Sequence, residues 1–271
     1  MNRKPAKPPK ANSKNWSETN QEAEYLRLNK YIAHAGVCAR READKLITAG
    51  KVAVNGKTVT ELGVKVKRTD TIKVEGKNVS LEPYVYILLN KPRNTITTTS
   101  DEKGRHTVME IIEEATGHRV YPVGRLDRNT TGALVLTNDG DLANRLMHPS
   151  YKVKKVYNVS TTQPFSDEQL SRLQSGVELE DGLATAHQVS RAPGDPHSFT
   201  LTLYEGRNRQ VRRMVESLGG EVIKLDRAVY AGLNTNGLRM GRWRNLKSKE
   251  ISDLRVLVKL DEPRKQKRIN K

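Results

Sequence analysis

Between residues 25 and 80 the apolar positions follow first a helical and then a strand period. Leu28, Ile32 and Ala35 recur at helical spacing, and Gly36 supplies a stop. A second helix is predicted from Arg40 to Thr48, with Ala43, Leu46 and Ile47 apolar and Gly50 just past its end. From Lys51 to Val59 the pattern changes to alternation around Asn55-Gly56, a dipeptide suited to the positive φ angles of a tight hairpin. Ile72 to Val79 repeats the phrase once. Two occurrences make two hairpins of one small sheet rather than a solenoid.

Residues 81–260 read as a larger domain. Val85-Tyr-Ile-Leu-Leu89 is continuous enough for a buried strand, and Leu134-Val-Leu-Thr137 is another. Asn138 or Asp139 then caps a helix running through Leu142, Leu146 and Met147. Further strands are predicted at Val156–Val159, Ser198–Leu203 and Val222–Leu225, and a helix from Ser166 with Glu168 and Gln169 in its first turn. Strands and helices alternate without a regular βαβ period. The expected fold class is therefore α+β, with a mixed, largely antiparallel sheet flanked by helices. Residues 1–24 and 261–271 read as basic tails without a core.

Composition changes the picture through charge. The 271 residues hold 48 Lys and Arg against 31 Asp and Glu, a net charge of +17. Such an excess favours a polyanionic partner, nucleic acid first, with a merely solubilising surface as the alternative. The same choice holds for the tails, which either grip phosphate or keep the chain in solution. No run approaches the roughly 18 apolar residues of a membrane span. The single cysteine, Cys38, makes neither an intramolecular disulfide nor a cysteine zinc site, and its place in a helical turn points to packing. A basic start without an apolar core argues against secretion and for the cytoplasm. There is no phosphate-binding glycine loop, and the six histidines include no i, i+4 pair, so metal and nucleotide cofactors are not expected.

Two segments carry candidate chemistry. Tyr121 to Gly140 is a polar, glycine-containing loop leading into a buried strand, and it presents Arg125, Asp127 and Arg128 together. Flanking guanidinium groups favour an ionised carboxylate, available as a nucleophile, although an ordinary ion pair has the same composition. Glu205 to Gly219 places Val211, Met214, Val215 and Leu218 on one helical stripe. Arg209 and Arg213 project from the opposite face. Arg212 borders the stripe, where a partly desolvated guanidinium seeks a carboxylate.

The N-terminal motifs Arg27-Leu-Asn-Lys-Tyr-Ile, Arg40-Arg-Glu-Ala and Gly50-Lys-Val-Ala-Val-Asn-Gly56 resemble the S4 RNA-binding domain in order and spacing. The resemblance implies that Arg27, Lys30, Arg40, Arg41, Lys45 and Lys51 hold RNA phosphates. Gly124-Arg-Leu-Asp127, followed by Thr130, Gly132 and Thr137-Asn-Asp-Gly140, resembles the catalytic motif of RNA pseudouridine synthases. Leu89-Asn-Lys-Pro92, Lys155-Val-Tyr157 and Gly206-Arg-Asn-Arg-Gln-Val-Arg212 are similar to further motifs of the subfamily that joins an S4 domain to the synthase domain. The likeness spans roughly residues 25 to 260, an S4-like domain at 25–80 and a synthase domain at 81–260.

The resemblance implies that Asp127 is the catalytic aspartate and that Arg212 pairs with it. It implies that Tyr157 packs on a flipped uracil and helps move a proton, and that Arg125 holds RNA around the vacated position. Asn90, Lys91 and Val211 become framework residues of the site. Arg209 and Arg213 either coat the helix exterior or face RNA as contacts. Three routes fit the motif: attack by Asp127 on the ribose, attack on the base, or promotion of a glycal. The Leu142–Pro149 and Glu205–Arg209 phrases look most like synthases of large-subunit ribosomal RNA. One departure is Ala133, where leucine is common. The expected partner is ribosomal RNA or a pre-ribosomal particle, the expected state a monomer without cofactor. The alternative class is an RNA-binding ribosome-assembly factor.

Overall fold

At Asn55-Gly56 the backbone turns with φ of 49° and 82°, and at Glu75-Gly76 with 49° and 80°. Both are the positive-φ pairs of a two-residue hairpin. In the computed structural model, which describes residues 25–262, these turns close the two hairpins of one small sheet. The chain divides into two compact units, up to Glu82 and from Pro83 onward.

The first unit runs β1 (Tyr25–Arg27), α1 (Leu28–His34), α2 (Arg40–Thr48), β2 (Val52–Val54), β3 (Lys57–Thr58), β4 (Lys65–Lys67), β5 (Ile72–Val74) and β6 (Lys77–Val79). Four strands pair in the order β3-β2-β5-β6, and β1 pairs with β4. Leu28, Tyr31 and Ile32 of α1 meet Ala43 and Ile47 of α2 over Val52 and Ile72. These are the positions whose spacing predicts the helices. Cys38 packs against the same cluster.

The second unit runs β7 (Tyr86–Lys91), α3 (Val108–Ile111), β8 (Tyr121–Pro122), β9 (Thr131–Thr137), α4 (Gly140–Met147), β10 (Lys155–Thr161), α5 (Asp167–Ser175), β11 (Val177–Leu179), β12 (Gly182–Ala184), β13 (Gln188–Ala192), β14 (Asp195–Leu203), α6 (Gln210–Glu216), β15 (Val222–Tyr230), β16 (Leu233–Asn234), β17 (Trp243–Asn245) and α7 (Ser248–Leu257). Its nine-stranded sheet has the order β13-β14-β10-β15-β9-β7-β17, with β16 on β15 and β8 on β9. All pairings are antiparallel among the described residues except β9 with β15. β7 and β9 are apolar without alternation because both faces are covered. Leu88 and Val135 pack on one side with α4 and α7, and Ile87, Leu89, Leu134 and Leu136 on the other with Val108 and Ile112.

Helix ends follow their caps. Asp139 accepts from Leu142 N at 3.1 Å and starts α4, and Ser166 and Gln169 form a capping box on α5. The same Asp139 carboxylate accepts from Tyr86 Oη at 2.9 Å and Arg255 Nη1 at 3.1 Å, fastening α7 to the sheet. The basic tails expected at either end fall outside the described residues, apart from Asp261 and Glu262. Asp261 belongs to the folded unit, since Arg255 grips it through Nε at 2.8 Å and Nη2 at 3.0 Å.

Candidate active site

The loop between β8 and β9 carries Asp127, and it is fixed on both sides of that residue. On one side Leu126 is buried, its carbonyl accepting from Thr97 Oγ1 at 2.9 Å. On the other side Lys91, fully buried at the end of β7, reaches into the loop. Its ammonium donates to the carbonyls of Pro92 at 3.0 Å, Arg128 at 3.2 Å and Thr130 at 2.9 Å. Three acceptors use the full donor set of an ammonium. Burial pushes the Lys91 pKa down to about 8, and the charge of Asp127 opposes that shift. The turn closes with Thr130 N donating to Asp127 O at 3.0 Å.

Arg212 approaches from α6. Arg209 adopts φ of 46° immediately before the helix, which starts at Gln210 and carries the first three residues of the predicted stripe. Val211, Met214 and Val215 are buried and seat it. The Arg212 side chain is 12% exposed, and its Nε lies 3.9 Å from Asp127 Oδ2, whose side chain is 34% exposed. Nη1 donates to Val222 O at 2.8 Å, which sets the guanidinium plane. Burial and then the neighbouring Arg209 lower the Arg212 pKa, while Asp127 raises it. No described residue donates a hydrogen bond to the Asp127 carboxylate. It is neighboured by charge, with its lone pairs uncommitted.

Asp127 lines an open cleft of about 980 Å³ shared with Thr97, Arg105, Arg125, Arg128 and Arg209. Arg125 is exposed there. Arg128 is held by Asn94, with Nε donating to Oδ1 at 2.7 Å. Tyr157 is 9% exposed and packs in the same apolar cluster as Val211. Neither lines the cleft surface. Asn90 turns elsewhere: its Nδ2 donates to Leu238 O at 2.7 Å. Arg213 is committed to Asp181 through two contacts at 3.0 and 2.9 Å, and Arg209 lies 3.6 Å from Glu216.

In the first unit Arg27, Arg40 and Arg41 are exposed and Lys30 half-buried. Lys45 pairs with Glu42 at 3.0 Å and Lys51 with Glu75 at 2.7 Å, both at the surface. Among the described residues no cluster of His, Cys, Asp and Glu could hold a metal ion, and no helix is long and apolar enough to cross a membrane.

Sequence reasoning misses Arg227 and the reach of β15. The strand predicted at Val222–Leu225 continues to Tyr230 and carries Asp226 and Arg227 beside the exit of the Asp127 loop. The signal that marks it is a charged pair, Asp226-Arg227, followed directly by the apolar Ala228-Val229-Tyr230.

Comparison with known proteins matches two family models in chain order, the S4 domain over residues 26–72 and RNA pseudouridylate synthase over residues 85–217. Ribosomal large subunit pseudouridine synthase B of Bacillus subtilis (strain 168) is 48% identical over 236 residues, 86% of this chain and 96% of that protein. Dual-specificity RNA pseudouridine synthase RluF of Escherichia coli (strain K12) is 37% identical over 236 residues, 86% of this chain and 79% of that protein. A crystal structure of a pseudouridylate synthase is 29% identical with a TM-score of 0.61, covering 84% of this chain and 99% of that one. With an S4 domain ahead of a synthase domain, and near-complete coverage of a relative at this identity, the chain belongs to the RNA pseudouridine synthase family.

Proposed function

We propose that this enzyme isomerises uridine to pseudouridine in large-subunit ribosomal RNA, with Asp127 as the catalytic carboxylate. One observation carries the reading. Asp127 stands on a loop pinned at both flanks, in an arginine-lined cleft, 3.9 Å from Arg212, and no described residue donates a hydrogen bond to its carboxylate. The relatives named for large-subunit RNA support the substrate class. In the reaction the bond from ribose C1′ to N1 breaks and a bond to C5 forms. The C5 proton leaves, and N1 takes one up. Mass and oxidation state are conserved, so the reaction needs neither nucleotide nor redox cofactor. Arg212 supplies positive charge beside Asp127, Tyr157 packs on the base and handles a proton, and Arg125 and Arg209 hold RNA at the cleft. Lys91 and Val211 frame the site. All these groups come from one chain, so a monomer suffices, and the substrate implies the cytoplasm.

A base in a duplex is out of reach, and extruding it costs a few kcal/mol. Cationic contacts to phosphate offset that cost without reading sequence. The S4 unit supplies them through Arg40 and Arg41, which are exposed and have no ion-pair partner among the described residues. Replacing both by alanine is expected to flatten the salt dependence of RNA affinity by about one to two units of slope, and to leave the single-turnover rate at saturating RNA unchanged. An unaltered slope removes these arginines from the phosphate contacts.

Tritium release from RNA carrying 5-tritiated uridine tests the reaction directly. Release from large-subunit fragments or pre-ribosomal particles is expected. No release from either would overturn the reading and turn it toward a ribosome-assembly factor.

A further inference from the structure

We propose that Arg227 is a positioning residue for the isomerisation, holding the exit of the Asp127 loop against the strand that carries Tyr157. The proposal rests on the assignment of Asp127 and Tyr157 to the reaction.

Arg227 sits on the central strand β15, between Tyr157 of β10 and the start of β9, the strand that follows the Asp127 loop. Across one edge it pairs in register with Tyr157 of β10, where a bulge interrupts the ladder between Val156 and Tyr157. Paired residues on adjacent strands project to the same face. Across the other edge it pairs with Gly132 of β9, in the parallel contact that spans only Asp226↔Thr131 and Arg227↔Gly132. That contact lies five residues beyond Asp127. Gly132 has φ of 102°, and a Cβ there would run into the Arg227 backbone, so the close approach depends on glycine. Side chains reinforce it: Thr131 Oγ1 donates to Asp226 Oδ1 at 2.6 Å, and Arg227 Nε donates to Ala133 O at 2.8 Å.

The guanidinium is costly where it stands. Arg227 is 3% exposed and has no carboxylate at ion-pair distance among the described residues. Its Cζ lies 4.4 Å from the centroid of the Tyr230 ring, and Lys155 Nζ lies 5.9 Å from the same centroid, so two cations share one ring. The ring is itself fixed, Tyr230 Oη donating to Leu146 O at 3.1 Å. Nη2 of Arg227 is buried without a hydrogen-bond partner among the described residues. An apolar side chain of similar volume would fill this space without desolvating a charge. What it would not do is bind the carbonyl at the loop's exit while standing beside Tyr157. A long cationic side chain that carries donors spans that gap, arginine through its fork and lysine in part.

The test compares Arg227→Met, Arg227→Lys, Tyr157→Phe and Arg227→Lys/Tyr157→Phe with the wild type and Asp127→Asn in the full chain. Rates are measured by tritium release and normalised to folded protein by circular dichroism. Arg227→Met is expected to lower kcat at least 30-fold with KM for RNA within threefold. Arg227→Lys, which keeps a cation on Tyr230, is expected to recover a substantial part of kcat. The double variant is expected to lose less than the product of the two single losses, as for residues acting through one another. A merely structural role would lower melting temperature and leave kcat per folded molecule unchanged, and that result overturns the proposal. Full multiplicativity in the double variant overturns it as well, and does not depend on the methionine variant folding. If Asp127→Asn is inactive while the Arg227 variants turn over like wild type, this inference alone fails. If Asp127→Asn is active, the reading of the loop fails and takes the inference with it.

Discussion

Asp127→Asn is expected to abolish pseudouridine formation, by at least about 10⁴-fold in kcat, while RNA binding survives. The two side chains have the same shape, and no described residue donates a hydrogen bond to the carboxylate. At 34% exposure the exchange is expected to cost the fold less than about 0.5 kcal/mol. What disappears is the negative charge and the nucleophilic oxygen. Arg212, 3.9 Å away and 12% exposed, then faces a neutral amide. RNA affinity is expected to stay level or rise slightly, because the substitution removes one anion from a cleft that also holds Arg105, Arg125, Arg128 and Arg209. Tritium release reports turnover, and filter binding of the same RNA reports affinity. Turnover within tenfold of wild type would remove Asp127 from the chemistry. Lost binding would make it a recognition residue.

How much of this is legible in the sequence depends on whether the signal is local. The helical spacing of Leu28 and Ile32, the Asn55-Gly56 turn and the Ser166 cap are each set by a few neighbouring residues, and the elements form where those residues put them. Arg212 is legible because its position on the edge of an apolar helical stripe already demands a partner. Asp127 stands out for the arginines around it. Lys91 is not legible in the same way. It ends an apolar strand, and a lysine there reads as the point where the chain returns to water. Its burial depends on three carbonyls, two of them 37 and 39 residues away. Arg227 is hidden for the same reason, since its partners lie on β9 and β10. Even Arg213, legible as an outward cation, is claimed by Asp181, 32 residues earlier. Pairings between remote strands are decided by tertiary contact, which a local pattern does not contain.

Lys91 carries the second large effect. Lys91→Met keeps most of the volume and removes all three donors. The carbonyls of Pro92, Arg128 and Thr130 then lose the ammonium that holds them, and a buried acceptor without a partner costs about 1–3 kcal/mol. Part of that loss is offset, because methionine no longer buries a charge, the burial that pushes the lysine down to about 8. Taking the balance as about 3 kcal/mol, melting of the second unit is expected about 6–12 °C lower. The loss should not be uniform. Two of the carbonyls, those of Arg128 and Thr130, lie just after Asp127, so hydrogen exchange is expected to rise first over residues 128–131, whereas β10 and β14, held by their own ladder, stay protected. At a temperature where the variant is folded, turnover is expected to fall more than RNA affinity, because the loop that loosens carries the carboxylate and not the phosphate contacts of the S4 unit. A melting temperature within 2 °C of wild type, with unchanged exchange over residues 128–131, would show that the loop is held by other means. The Leu126–Thr97 bond on its far side would then be the anchor to remove.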